Sequence, residues 1–280
     1  MKEITNGVYS ILLKGEGLSP LNNIYCIEGN KYSAIIDPGF GNQEIEQIQE
    51  IESAILSLHA KKPVRWVLLT DWYDEHISGA NRVKALTDAQ IICGNAESRI
   101  LELENNTTSI DKTFSTGDFI DLGDKKITAY STPGHSEGST CFFIEKEGLL
   151  FSGDCIIPTG TTAINPSEGG DMSDYIKSLN TLHDLKISSI LSFHGDPINN
   201  PSNYIENLIR TRYERDNKIL EILENGEKNI AEIWNIIYGE RKLEGYLIEA
   251  SKKQILAHLM KLELEEKVLA LKSSKTYKKI

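Results

Sequence analysis

No stretch of about 18 consecutive apolar residues occurs in the chain, so no membrane-spanning helix is expected. The first residues, Met1-Lys2-Glu3-Ile4-Thr5-Asn6-Gly7, lack the apolar core of a secretory signal, and a cytoplasmic location is the expectation. Cysteine is scarce. The four thiols, Cys26, Cys93, Cys141 and Cys155, are widely spaced within apolar, strand-like runs, which reads as buried thiols rather than a disulfide frame or a zinc cluster. Cys155 directly follows Asp154 and is expected near the cleft. Basic charge is in deficit, with 30 Lys and Arg against 41 Asp and Glu, a net charge of −11. Residues 205–280 carry 15 basic and 13 acidic side chains, so the deficit lies in the rest of the chain. An acidic catalytic part repels polyanions, and nucleic acid is a disfavoured partner. Only the Lys-rich end (Lys272, Lys275, Lys278, Lys279) leaves a weak contact of that kind open. No internal repeat or low-complexity tract is visible.

What is present is an alternation of short β-branched runs and amphipathic segments, with 40% apolar residues, ordinary for a globular protein. Val8–Leu13, Ile24–Glu28, Ser33–Asp37, Val64–Thr70, Gln90–Cys93, Ile127–Ser131, Cys141–Glu145 and Ser189–Phe193 read as strands. Gln43–His59 (apolar at 45, 48, 51, 55 and 58), Ile77–Leu86 and Asp171–Asp184 read as helices, the last with an Asp cap. Ile198–Asn203 has the composition of a linker. Three helices are predicted beyond it, over Tyr204–Asn225, Asn229–Tyr238 and Ser251–Glu265, with two final strands, Val268–Leu271 and Thr276–Ile280. The chain divides into a domain over 1–200 and a smaller one over 205–280.

Four short segments carry the chemistry. Each follows an apolar run, so each presents polar side chains where a strand enters a loop. They are Thr70-Asp71-Trp72-Tyr73-Asp74-Glu75-His76, Thr132-Pro133-Gly134-His135, Phe151-Ser152-Gly153-Asp154 and Ser192-Phe193-His194-Gly195. Asp71, Glu75, His76, His135, Asp154 and His194 are the candidate metal ligands, with Glu75 and Tyr73 as catalytic candidates. Blander roles exist for each: His135 as a turn residue, Asp71 as a helix N-cap, Tyr73 as a packing residue, Asp74 as a solvated carboxylate. His59, His183 and His258 lie on helical patterns and read as helix-end, surface or packing residues.

These four segments, in this order, resemble the metallo-β-lactamase superfamily, whose first motif is Thr-His-x-His-x-Asp-His, followed by Gly-His, Gly-Asp and Gly-His. His135, Asp154 and His194 match it, as do Thr70 and His76. Asp71 and Tyr73 stand where the first two family histidines belong, and Glu75 where the Asp belongs. Tyr32–Gly39 resembles the family's early strand ending in Asp-x-Gly. Gly169-Gly170-Asp171-Met172-x-x-Tyr175 and the tail resemble the glyoxalase-II-like subgroup with a trailing winged helix.

The resemblance implies a four-layer αββα sandwich with a small C-terminal winged-helix-like domain. It implies one or two divalent metal ions bridged by Asp154, with His76, His194 and Glu75 on one side and His135 and Asp71 on the other, Tyr73 being a further candidate ligand there. The oxygen-rich substitutions favour Fe or Mn, with Zn remaining possible. The activity implied is hydrolysis of a small acyl substrate, a thioester or ester, by a metal-bound hydroxide. Two alternatives stand beside it: a non-haem iron or di-iron oxygen-activating oxidoreductase, and an RNA endonuclease. The C-terminal domain is expected to pack or to dimerise rather than read nucleic acid.

Overall fold

The computed structural model describes residues 1–14, 21–104 and 106–280. They form two compact units. The first comprises Met1–Thr132, Gly138–Thr161 and Leu185–Pro201; the second comprises Pro133–Glu137, Thr162–Asp184 and Ser202–Ile280. Compactness therefore groups the chain differently from a single cut along the sequence.

The first unit holds two sheets. Seven strands, β1 (Lys2–Thr5), β2 (Val8–Lys14), β3 (Leu21–Glu28), β4 (Ser33–Ile36), β5 (Val64–Leu68), β6 (Gln90–Gly94) and β7 (Lys112–Phe114), pair in sequence order. The pairing is antiparallel from β1 to β4 and parallel from β4 to β7. Between the parallel strands run α1 (Ile45–Lys61), α2 (Asp74–Ile77), α3 (Ala80–Thr87) and α4 (Asn95–Leu103). Five further strands, β8 (Phe119–Asp121), β9 (Lys126–Ser131), β10 (Thr140–Ile144), β11 (Leu149–Gly153) and β12 (Ser189–Ser192), form the second sheet in the order β12-β11-β10-β9-β8. Only β11 and β12 pair in parallel there.

The burial pattern explains the layering. Strands β4, β10 and β11 are buried at every residue, as expected of strands covered on both faces. Ile36, Leu68 and Ile92 of one sheet meet Ala129, Phe142 and Phe151 of the other in a single apolar cluster. On the outer face of the first sheet, Ile48, Ile51, Ile55 and Leu58 of α1 and Ala80 and Val83 of α3 pack on Ile35, Val67 and Ile91. Each such side chain contributes about 1.5–3 kcal/mol on burial. All four cysteines are buried, and none is joined in a disulfide. Burial pushes the Cys26 and Cys93 thiols up to about 12.

Local departures from the sequence reading have identifiable causes. The helix expected over Ile77–Leu86 is two helices, α2 and α3, interrupted at Ser78-Gly79. The Gly79 N–H is drawn onto the Pro38 carbonyl at 2.8 Å, and a Cβ there would lie 2.2 Å from that oxygen. Ile198–Asn203 is not a free linker. Ile198 is buried and pairs with Ile190, and the following helix already begins at Pro201.

In the second unit, α5 (Met172–His183) is capped by Asp171, whose carboxylate accepts the Asp174 N–H at 2.9 Å. Then follow α6 (Pro201–Glu224), α7 (Ile230–Tyr238), α8 (Tyr246–Leu264) and the antiparallel hairpin of β13 (Val268–Leu271) and β14 (Thr276–Lys279). Asn229 and Glu232 close a reciprocal capping box on α7. Ile219, Ile233, Ile255, Leu259 and Val268 share one apolar cluster. Among the described residues no helix is long and apolar enough to cross a membrane.

Buried between α6 and α8, Asp216 accepts from His258 Nδ1 and from Lys261 Nζ, each at 2.7 Å. Burial, helped by the Arg212 and Arg215 charges, holds the His258 imidazole below its ordinary value against the pull of Asp216. A lowered value means that the unfolded chain takes up a proton that the folded chain refuses. Stability from this site is therefore present above about pH 6.5 and is lost as pH falls below it, by at most about 1.4 kcal/mol per pH unit. Urea midpoints measured between about pH 5 and 7.5 should fall more steeply on the acid side in the native chain than in His258→Gln; parallel profiles would contradict this.

Candidate metal centre

Five of the sequence-predicted residues come together in the first unit, at the C-terminal ends of parallel strands, β5 in the first sheet and β11 and β12 in the second. That is where ligand sites form in open α/β sheets. Asp71, Glu75 and His76 follow β5, Asp154 follows β11, and His194 follows β12. Glycine permits the approach. A Cβ on Gly39 would stand 1.4 Å from the Glu75 carbonyl oxygen, so only glycine lets the loop after β4 lie against α2. Gly153 has φ +50°, and a Cβ there would lie 2.2 Å from Thr70 Oγ1.

His76 is fully buried and stacked on Phe193, with ring centroids 3.8 Å apart. Its Nδ1 lies 3.2 Å from Asp37 Oδ2 and 3.2 Å from Thr70 Oγ1. The Thr70 hydroxyl donates to Asp37 Oδ2 at 2.7 Å, and the Thr70 N–H donates to Oδ1 at 2.8 Å. Surrounded by acceptors, Nδ1 is the protonated nitrogen, and the Nε2 lone pair points the other way. Among the described residues Nε2 has no hydrogen-bond partner. It faces Asp71 Oδ2 at 3.5 Å and Asp154 Oδ2 at 3.7 Å.

His194 repeats the arrangement. Its Nδ1 meets Asn22 Oδ1 at 2.7 Å, and its Nε2 faces Asp154 Oδ1 at 3.3 Å. Asp154 thus presents one oxygen to each imidazole. Asn22 Nδ2 donates to Glu75 Oε2 at 3.3 Å. Glu75, His76 and Asp154 offer ligand atoms within 4.8 Å of one another.

Lone pairs on two imidazoles, aimed at carboxylate oxygens, repel unless a cation lies between them. A proton or a metal ion meets that need, and the donor set of imidazole nitrogen and carboxylate oxygen fits a first-row divalent metal. The electrostatics agree. Burial pushes the Asp71 carboxyl well up, aided by Asp154, Asp37 and Glu97 and opposed by His76. Burial alone would lower His76, yet Asp71 and Asp37 outweigh it and hold the imidazole well above its ordinary value. Burial likewise opposes ionisation of Asp154, but His194 and His76 hold it well below the usual carboxylate range.

The remaining candidates lie as follows. Asp71 is not a helix N-cap. Tyr73 occupies the N-cap position of α2 without a side-chain capping bond, and Asp71 Oδ1 accepts the Tyr73 N–H at 3.1 Å. Tyr73 is half-buried and stacks on Trp72 at 4.7 Å. His135, on the loop after β9, belongs to the second unit, where its Nδ1 meets the Ala163 carbonyl oxygen at 2.8 Å. A carbonyl only accepts, so the neutral ring again carries its lone pair on Nε2. Sequence reasoning missed Asp37, Asn22 and Phe193 as parts of the site. Asp37 had a signal in the strand-terminal Asp-x-Gly; Asn22 had none.

Residues 20–194 match the metallo-beta-lactamase superfamily, and the chain belongs to it. A Caenorhabditis elegans protein named beta-lactamase-like protein 2 homolog is 24% identical over 86% of this chain and 79% of its own length. An atrochrysone carboxyl ACP thioesterase of Claviceps purpurea is 26% identical over 86% of this chain and 74% of its own. The solved structure of a beta-lactamase domain protein from Burkholderia ambifaria superposes with a TM-score of 0.85 at 18% identity, covering 99% of this chain and 93% of that one. The fold is the α/β sandwich of the superfamily.

A carboxylate that holds the protonated nitrogen of a ligating imidazole typically tunes metal affinity by about 10–100-fold. Asp37→Asn keeps a side chain that tolerates the φ of +49° at this position. It should weaken divalent-metal binding by about 10–100-fold in a chelator-competition titration; an unchanged affinity would contradict the assigned role of Asp37.

Proposed function

We propose that the chain is a metal-dependent hydrolase of a small acyl substrate, a thioester or ester. The observation that carries this reading is Asp154, whose Oδ1 faces His194 Nε2 at 3.3 Å and whose Oδ2 faces His76 Nε2 at 3.7 Å. His76, His194, Asp154 and Glu75 would hold one divalent ion, and Asp71, with Tyr73 beside it, would contribute to holding a second. A divalent ion in such a site supplies a Lewis acid for the acyl oxygen and lowers the pKa of a water. Glu75 is exposed, and Asn22 engages only its Oε2. Its Oε1 takes the proton released by the attacking water and passes it to the departing thiolate or alkoxide. The thioesterase name of the Claviceps purpurea relative supports the thioester over other acyl substrates.

The oxygen-rich donor set favours Fe or Mn over Zn in relative terms. Asp71, Glu75 and Asp154 equal the three candidate histidines in number, with the Tyr73 phenol in addition, which keeps iron-dependent oxygen chemistry as the second reading. Residues 1–200 form the catalytic part in this account, and 205–280 a winged-helix-like module for packing or self-association.

The test is thiol release from an S-acyl-N-acetylcysteamine thioester by protein loaded with Mn²⁺, Fe²⁺ or Zn²⁺. Turnover is expected with at least one metal, and Glu75→Gln should reduce kcat by about 100-fold with a smaller change in KM. Oxygen uptake without thiol release would select the second reading. No turnover with any metal would defeat the hydrolase.

A further inference from the structure

We propose that Asn22 is a positioning residue for the metal centre: its single amide fixes the ligating tautomer of His194 and, at the same time, the carboxylate of Glu75. The inference rests on the metal-site reading above and deepens it.

Asn22 is buried, near the start of β3, and pairs with His194 as an isolated antiparallel bridge. The orientation of its amide is fixed by chemistry. Carboxylate oxygens only accept, so the side of the amide facing Glu75 Oε2 at 3.3 Å is Nδ2. The oxygen then faces His194 Nδ1 at 2.7 Å, and that nitrogen must carry the proton. The lone pair of the neutral ring is thereby committed to Nε2, which faces Asp154 Oδ1 at 3.3 Å. One side chain therefore sets two candidate ligands that come from different strand ends, after β5 and after β12.

The neighbouring Asn23 provides the contrast. Its Nδ2 donates to the Phe193 and Gly195 carbonyl oxygens at 3.1 and 2.8 Å, and its N–H donates to Phe193 at 2.7 Å. Asn23 ties backbone to backbone, whereas Asn22 ties ligand to ligand. A structural role for Asn22 alone would leave both the metal affinity and the His194 proton unaffected once the chain is folded.

The experiment uses the full chain with Zn²⁺ as the diamagnetic probe. Affinity is read by chelator competition, and the His194 Nδ1–H resonance is read by NMR of ¹⁵N-histidine-labelled protein. Asn22→Leu, which has similar volume and no polar atom, should lower Zn²⁺ affinity by about 10–100-fold and lose the slowly exchanging Nδ1–H signal. Asn22→Asp, which keeps an acceptor towards His194 but has no donor for Glu75, should retain that signal. If native protein binds Zn²⁺ and Asn22→Leu binds it within about twofold, the role of Asn22 is overturned while the metal-site reading stands. If native protein binds no Zn²⁺, both fall. Loss of the Nδ1–H signal in Asn22→Asp also overturns the proposal, and this variant decides the matter if Asn22→Leu does not fold.

Discussion

The arrangement of the centre follows from one constraint: each site imidazole has its Nδ1 proton committed to an oxygen acceptor. Asp37 and Thr70 hold it on His76, and Asn22 holds it on His194. In every ring the remaining lone pair sits on Nε2. For His76 and His194 that lone pair confronts carboxylate oxygens at 3.3–3.7 Å. Two acceptors at such distances are stable only with a proton or a metal ion between them. The hydrogen bonds outside the centre thus leave both Nε2 atoms turned towards its middle.

The fold serves that constraint by fixing strand ends. Asp37 follows β4, Asp71 and His76 follow β5, Asp154 follows β11, and His194 follows β12. The two sheets are joined beside the site by hydrogen bonds from Tyr25 Oη to the Ser192 carbonyl at 2.6 Å and from the Thr140 N–H to the Thr70 carbonyl at 2.8 Å. Their positions are inherited from the apolar cluster between the sheets, where Phe151 lies edge-on to Tyr25 at 5.2 Å. Rigid strands holding polar loop tips give the precision that a site on loops alone lacks.

The strand ends were legible because β-branched runs such as Val67-Leu68-Leu69 and Leu149-Leu150-Phe151 stop abruptly at polar residues. What lay beyond reach was any contact set by pairing instead of by composition. Leu21-Asn22-Asn23 has the composition of a turn, yet register pairs Leu13 with Asn22 and Lys14 with Leu21, extending β3 by three residues over the expected start at Ile24. Tertiary pairing overrode local propensity, and with it came the partner of both Glu75 and His194. Asp37 was visible only as a strand-terminal carboxylate, since nothing local shows that it will lie under His76. The three-residue strands β7 and β8 are too short for periodicity to register.

Anomalous diffraction from crystals grown with Mn²⁺, Fe²⁺ or Zn²⁺, collected across each absorption edge, addresses the central claim most directly. The account predicts an anomalous peak bonded to Nε2 of His76 and of His194 and to an oxygen of Asp154, with both Nδ1 atoms still on their oxygen acceptors. An empty difference map between these three side chains at saturating metal, or a ring turned to present Nδ1 inward, would contradict it.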